Sequence, residues 1–365
     1  MSGSNWGGSE ELWCGAALKM RNQGHQVFVS VYKWKVVPRK INELHSAGCL
    51  IHFRMLKQPL LRQFLEKTMH RMMHNAMTDS CIKWIKNISP DFVLISQGFP
   101  FEGIDFMLAC RKLNIPYATV VQAASEFWWP PDSMLDNIRN AYGGASGSYF
   151  VSNVNCELVE TQCGMRFNNS HIVNNPNNVK MNECPAWPDD NPYTNLACVG
   201  RLDPKTKGQD LLMEVIAMSK WRSRPIKVNF YGCGPCERSL RSVARMLNIN
   251  NASFCGQVAD IESIWTINHA LVLPSRIEGL PLVIIEAMQC GRIVITTDVA
   301  DNAKYITDGI NGFVALAPTR RLLDDAMERA WLRRSEWQLI GANARRNILQ
   351  SVPTDPICRF VELLT

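Results

Sequence analysis

Residues 276–288 read R-I-E-G-L-P-L-V-I-I-E-A-M, a short loop turning into an apolar helix, with one carboxylate on each side of the turn. Gly279 admits close backbone approach, and Pro281 suits the first helical turn, where its missing N–H costs little. The amides of a helix N-terminus point outward with a partial positive charge, so a phosphate sits well there. Glu286 follows inside the helix, flanked by Val283, Ile284, Ile285, Ala287 and Met288. A charge there is costly unless something polar meets it. A ligand hydroxyl meets that need; so would solvent or an arginine, and Glu278 alone is equally a helix cap.

Upstream lies V-G-R-L-D-P-K-T-K-G-Q-D-L-L, residues 199–212. An apolar strand from Leu196 to Val199 runs into a glycine, and Arg201, Lys205, Lys207 and Gly208 then lead into an amphipathic helix. Two cations on a strand-to-helix loop suit a diphosphate, although any one of them alone reads as solvated loop charge. The two stretches in this order resemble the family four, or group 1, retaining glycosyltransferases of GT-B architecture. Their C-terminal half carries G-R-L followed by K-G, then E-x(7)-E. The likeness extends over nearly the whole chain and is strongest from Leu196 to Val314.

The resemblance implies an α/β protein of two Rossmann-like domains whose parallel sheets face a central cleft. By position, 1–180 is the acceptor domain, 181–194 the linker, 195–351 the nucleotide-sugar domain, and 352–365 a terminal helix packing back on the N-terminal domain. Arg201 and Lys207 are then expected on the donor diphosphate, Glu286 on the ribose hydroxyls and Glu278 toward the donor sugar. Gly279 and Leu280 would offer backbone N–H groups, and Gly256, Gln257 and Val258 resemble the base-contacting loop. In the N-terminal half, G-G-S-E-E (Gly7 to Glu11) resembles the family's first glycine-rich loop, which puts Gly7 and Gly8 near the transferred sugar or its phosphate.

The implied reaction moves a hexose from a UDP- or GDP-linked donor to a glycan or lipid-linked saccharide, with retention. Arg201, Lys207 and helix amides would stabilise charge developing on the departing diphosphate. No cofactor and no metal are implied. The lack of a D-x-D motif agrees, because a divalent ion otherwise supplies that neutralisation. No protein base for the acceptor stands out. In V-V-Q-A-A-S-E-F-W-W-P-P-D (Val120 to Asp132), Gln122 and Glu126 are acceptor-side candidates, and Trp128 and Trp129 suit either sugar stacking or loop packing.

Read from the residues themselves, short apolar runs alternate with amphipathic stretches, which argues for α/β architecture with parallel strands. Strands are expected near 26–31, 50–54, 92–96, 117–122, 147–152, 170–174, 196–200, 227–231, 252–255, 271–274, 293–296 and 312–315. The Asn- and Pro-rich run from Asn174 to Pro192 reads as a linker. With 365 residues, 46% of them apolar and 20% charged, the chain has material for two ordinary globular domains. No stretch approaches the ~20 apolar residues of a membrane span, and Met1 to Asn5 does not read as a signal peptide, so a cytoplasmic location is expected.

Thirteen cysteines, mostly inside apolar runs, fit reduced buried thiols. Y-G-C-G-P-C-E-R, Tyr231 to Arg238, holds a C-x-x-C in a strand-to-helix setting that suits a thioredoxin-like redox site. The same place is taken by the family's G-x-G-P turn, and the turn is preferred. From Lys33 to Lys86 there are eleven Lys/Arg against three acidic residues, interleaved with Trp34, Leu60, Leu61, Phe64, Met69, Met72, Met73 and Trp84. That pattern suits either a solvated helix face or peripheral contact with an anionic inner membrane surface. A nucleic-acid partner is disfavoured, since no groove-reading or RNA-binding signature appears.

One departure from the family bears on activity. Relatives begin with an apolar strand before the G-G loop, and here Met1 to Trp6 carry no apolar run. A first strand missing from the N-terminal sheet is therefore expected. That keeps open a catalytically impaired nucleotide-sugar-binding or partner-subunit protein; a GT-B epimerase fits the two signatures less well.

Overall fold

The computed structural model describes residues 6–34, 36–54, 80–177, 179, 184–189 and 192–365. They fall into two units, Met1–Pro176 with Thr354–Thr365, and Asn177–Pro353.

The first unit holds β1 (Phe28–Tyr32), β2 (Leu50–Arg54), β3 (Val93–Gln97), β4 (Tyr117–Val121), β5 (Gly147–Phe150) and β6 (Ser170–Ile172). Among the described residues all pair in parallel, in two sheets: β1 with β2, and β3-β4-β5-β6 in that order. β4 is buried along its whole length, as expected for a parallel strand covered on both faces. The first helix (Gly8–Asn22) lies across both sheets. Its Leu12 and Ala16 pack with Ala118, Val120 and Tyr149, while Trp13 and Cys14 pack with Val29 and Val31.

The terminal helix (Pro356–Leu364) completes this unit. Phe360 and Val361 enter the cluster of Leu12 and Val120, and the Tyr149 hydroxyl donates to the Leu363 carbonyl at 2.5 Å. Gly15 makes room for it, since a Cβ there would lie 2.4 Å from Ile357 Cδ1.

The second unit is one six-stranded parallel sheet: β7 (Thr194–Val199), β8 (Ile226–Tyr231), β9 (Ala252–Gly256), β10 (Ala270–Leu273), β11 (Ile293–Thr297) and β12 (Phe313–Ala315). The order is β12-β11-β10-β7-β8-β9. Between β7 and β10 the winding reverses, and the crevice outside the strand C-termini at such a switch point is where doubly wound sheets bind ligands. Each of the twelve expected apolar runs forms a strand, with ends displaced by no more than two residues.

The segment before β7 belongs to this unit. Val179 and Trp187 pack on its cores, and the buried Arg292 guanidinium donates to the carbonyls of Ala186 (2.6 Å), Trp265 (2.5 Å) and Cys290 (2.8 Å). Arg292 has no carboxylate among these partners, and burial pushes its pKa below the usual guanidinium range.

All thirteen cysteines are free. Among the described residues no helix is long and apolar enough to cross a membrane, and no group of three His, Cys, Asp or Glu could hold a metal ion. The apolar part of the basic stretch, Leu60 to Met73, lies outside the described residues. Trp84 is described and stacks on His52, ring centroids 4.6 Å apart.

Candidate functional site

The loop after β7 is built on glycines for steric reasons. Leu202 N–H donates to the Cys233 carbonyl at 3.2 Å, and Cys236 N–H donates to the Leu202 carbonyl at 3.1 Å. These bonds bring two backbones so close that a Cβ on Gly234 would lie 2.3 Å from Leu202 O, and one on Gly232 would lie 2.2 Å from Gly200 O. The C-G-P-C segment is thus a turn that supports residues 200–202, and it follows a strand inside the six-stranded sheet. Cys236 precedes the helix Glu237–Met246.

A second set of bonds ties the loop after β7 to the loop after β10. Arg276 N–H and Ile277 N–H both donate to Thr206 O, at 2.8 and 3.1 Å. The Arg276 guanidinium makes a bidentate pair with Asp210, at 2.6 and 2.8 Å, and also donates to Pro204 O at 2.7 Å. Gly208 sits at φ +64°, where a Cβ would lie 1.9 Å from the Pro274 carbonyl oxygen. Only a glycine fits there without displacing one loop from the other.

This docking carries Lys207 to Glu278. Lys207 Nζ lies 2.5 Å from Glu278 Oε1, and the Ser275 hydroxyl donates to the same oxygen at 2.7 Å. The Glu278 side chain is 7% exposed and that of Lys207 24%. The lysine therefore keeps a face toward solvent while its charge is balanced from behind, an arrangement that leaves a cation for an incoming anion at modest desolvation cost. Thr297 Oγ1 donates to Ser275 O at 2.6 Å and fixes the loop from β11.

Arg201, more exposed, pairs with Asp203 at 2.9 Å. Gln209 is buried beneath it, donating Nε2 to Arg201 O at 2.8 Å. Gly279 is buried, and its carbonyl accepts from Asp301 N–H at 3.2 Å. Leu280 is buried in the core below. The site helix (Leu282–Gln289) starts one residue later than the sequence reading places it, with Pro281 as N-cap. Glu286 lies in this helix at 4% exposure, surrounded by Ile284, Ile285, Ala287 and Met288 of the core. Val258 of the expected base loop packs on that core, while Gly256, at φ +71°, has open space where a Cβ would point.

Arg201, Lys207, Glu278, Gly279, Leu280 and Glu286 thus gather on the loops and helix that follow β7 and β10. Gly7, Gly8, Gln122 and Glu126 belong to the other unit. There, Gly7 N–H donates to Glu10 Oε2 at 3.0 Å, and burial raises the Glu10 pKa. Gln122 is buried, its Oε1 accepting from Asn175 Nδ2 at 2.8 Å and its Nε2 lacking a partner. Glu126 is exposed at the start of a single 3-10 turn capped by Ser125. Trp128 packs on Phe99 with centroids 5.0 Å apart, and Trp129 is 60% exposed.

Sequence reasoning did not single out Ser275, Asp203, Gln209 or the Asp210–Arg276 pair. Ser275 stands three residues before Glu278 and Asp203 two after Arg201, but their roles depend on which loops meet, which spacing alone does not give.

Residues 193–332 match the family described as Glycosyl transferases group 1. Over 110 residues the chain is 29% identical to an uncharacterized glycosyltransferase of Haemophilus influenzae, covering 30% of this chain and 31% of that protein. It is 32% identical over 145 residues to the alpha-D-kanosaminyltransferase of Streptomyces kanamyceticus, covering 39% and 36%. The match spans 31% to 32% of the length of the first three curated relatives. Among solved structures, Anabaena HepE in complex with UDP superposes with a TM-score of 0.74 over 100% of this chain and 97% of that one, at 17% identity. The fold is GT-B.

Proposed function

We propose, for a chain that carries a group 1 glycosyl transferase domain in a GT-B fold, that it is a retaining glycosyltransferase moving a hexose from a UDP- or GDP-linked donor to a glycan or lipid-linked saccharide. The observation that carries this reading is the Lys207–Glu278 pair held at the sheet's switch point, beside Arg201 and the N-terminus of the site helix. Lys207 and Arg201 hold the diphosphate and take up the charge that develops on it as the sugar leaves. Glu278 orients Lys207 and faces the sugar; Glu286, one helical stretch further on, takes the ribose hydroxyls. The likeness to a fold solved with UDP and with UDP-glucose in Anabaena HepE supports a nucleotide-sugar donor.

Donor handling here needs no metal or cofactor, since the two cations and the helix amides supply the positive charge. Gln122 and Glu126 contact the acceptor. The basic stretch 33–86 provides peripheral contact with an anionic inner membrane surface, which suits a lipid-linked acceptor. Titration calorimetry with UDP and with GDP, in the presence of a chelator, tests the reading. Binding of one of them in the micromolar to millimolar range, weakened by Lys207→Ala, supports it; equal binding by wild type and variant overturns it.

A second reading is a nucleotide-sugar-binding or partner-subunit protein without turnover that keeps the same Lys207–Glu278 pair. Hydrolysis or transfer of the bound donor distinguishes the two.

A further inference from the structure

The C-terminal ends of β1 and β2 carry positive charge that no described carboxylate neutralises. Tyr32 and Arg54 stand opposite each other as the last residues of the two strands, and Lys33 follows, its N–H donating to the Arg54 carbonyl at 2.8 Å. Lys33 is exposed, whereas Arg54 is half-buried. Neither forms an ion pair among the described residues. The Arg54 guanidinium makes one long hydrogen bond, 3.5 Å from Nη2 to the Ser30 carbonyl, and its Nε is buried without a partner.

Aromatic rings hold this guanidinium instead. It lies 4.2 Å from the centre of the Tyr32 ring and 5.8 Å from that of Phe106, on helix Ile104–Lys112. A ring attracts the flat face of the cation and leaves the in-plane fork of N–H donors for oxygen. The fork is therefore oriented before any ligand arrives, which lowers the entropy lost on binding. Donors withdrawn from water and left unmet are costly, and an oxyanion would supply the missing acceptors. His52, two residues earlier on β2, adds no competing charge, because burial and then Arg54 itself lower its pKa. The place is also the one where parallel sheets take ligands, outside the C-terminal ends of their strands. Arg54 is one of the eleven cations between 33 and 86, but this packing separates it from a solvated basic face.

We propose that Arg54, with Lys33 beside it, is an oxyanion-binding site, and that the acceptor carries a phosphate or carboxylate group that docks there. This rests on the reading above that the first unit takes the acceptor, and it narrows the substrate class to an acidic or phosphate-bearing saccharide. An arginine fork meets either group through two parallel N–H···O bonds, and Lys33 adds a point charge. A neutral glycan offers nothing for that charge.

The test uses the full chain in an Arg201→Ala, Lys207→Ala background, which removes the site cations of the second unit as a rival for anions. Glucose 1-phosphate, glucuronic acid and methyl α-glucopyranoside are titrated by ligand-observed NMR. At least one anionic probe is expected to bind about tenfold more tightly than the neutral one, the scale of a charge-assisted hydrogen bond. Which of the two it is tells phosphate from carboxylate. Arg54→Gln should abolish the preference, Arg54→Lys should keep part of it, and Lys33→Gln, at an exposed position, should lower it roughly twofold. No preference for either anion, or a preference undiminished in Arg54→Gln, overturns the proposal. If Arg54→Gln does not fold, a preference unchanged by both Arg54→Lys and Lys33→Gln overturns it. Calorimetry of the wild type with UDP and GDP judges the donor reading separately, so nucleotide binding without any anion preference removes this site alone.

Discussion

Lys207 Nζ and Glu278 Oε1 meet at 2.5 Å although they belong to different loops, one following β7 and the other β10. An anion arriving at Lys207 therefore competes with a carboxylate already in place. Lys207→Ala is expected to weaken binding of a free nucleoside diphosphate by about 1.5–3 kcal/mol, the scale of a charge-assisted hydrogen bond. Arg201, more exposed, should give a smaller loss on Arg201→Ala. Calorimetry on the two variants measures both.

The same competition separates the two glutamates. Glu278→Gln releases Lys207 from its ion pair, so binding of free diphosphate should hold or tighten while transfer falls at least 100-fold. Glu286→Gln should weaken the same ligand by about 1–2 kcal/mol through the ribose. Equal weakening by both substitutions would mean that Glu278 does not act on the sugar side.

Gly208 tests the docking of the loops. Gly208→Ala adds a Cβ that would lie 1.9 Å from Pro274 O at a φ of +64°. The expected outcome is a loss of about 1–3 kcal/mol in stability, together with weaker nucleotide binding, read by urea denaturation and calorimetry. Gly256→Ala meets open space at a similar φ and should lose stability only through backbone strain.

Arg292→Met removes the donors that hold Ala186, Trp265 and Cys290 carbonyls. Leaving buried acceptors unpaired costs about 1–3 kcal/mol each before relaxation, so the second unit should lose at least that much. Urea denaturation of wild type and variant decides it, and nucleotide affinity of the folded fraction should change little.

A pH effect follows from Glu328. Its hydrogen bond to Arg224 and then that to Lys220 hold its carboxyl below the usual carboxylate range. A lowered folded-state pKa contributes stability that is present above the unfolded value, about 4.3, and is lost as pH falls through the folded value. The side chain is 26% exposed, so the contribution is kept to about 1 kcal/mol. Wild type should exceed Glu328→Gln by that amount at pH 7, and the gap should close in acid below the unfolded value.

Cys233 and Cys236 should be dispensable, because their backbones rather than their sulfurs hold residue 202. Serine at both positions is expected to leave stability and nucleotide binding nearly intact. Rapid reduction of insulin by the wild type would instead favour a redox role.

The strands were legible because parallel strands buried on both faces leave continuous apolar runs, as in I-V-I-T-T of β11 and Y-A-T-V-V of β4. Lys207, Glu278 and Glu286 were legible because a charge beside glycine or inside an apolar helix needs a reason. Arg276 and Asp210 were not. Their pairing depends on β10 lying next to β7, a neighbour relation set by sheet order rather than by distance along the chain. That β1 pairs with β2 in one sheet and β3 with β4 in another, among the described residues, was not legible either, because sheet order is set by tertiary packing rather than by the apolar runs.

The terminal helix gives the molecule an order of assembly. During synthesis, residues 7–176 emerge before 177–353, yet the cluster around Leu12 and Val120 lacks Phe360 and Val361 until that second stretch has been made. The second unit, continuous from 177 to 353, draws on no segment outside that range. The unit that begins first therefore closes last. Until Phe360 and Val361 arrive, the apolar surface at Tyr149 and Ala118 lacks their cover.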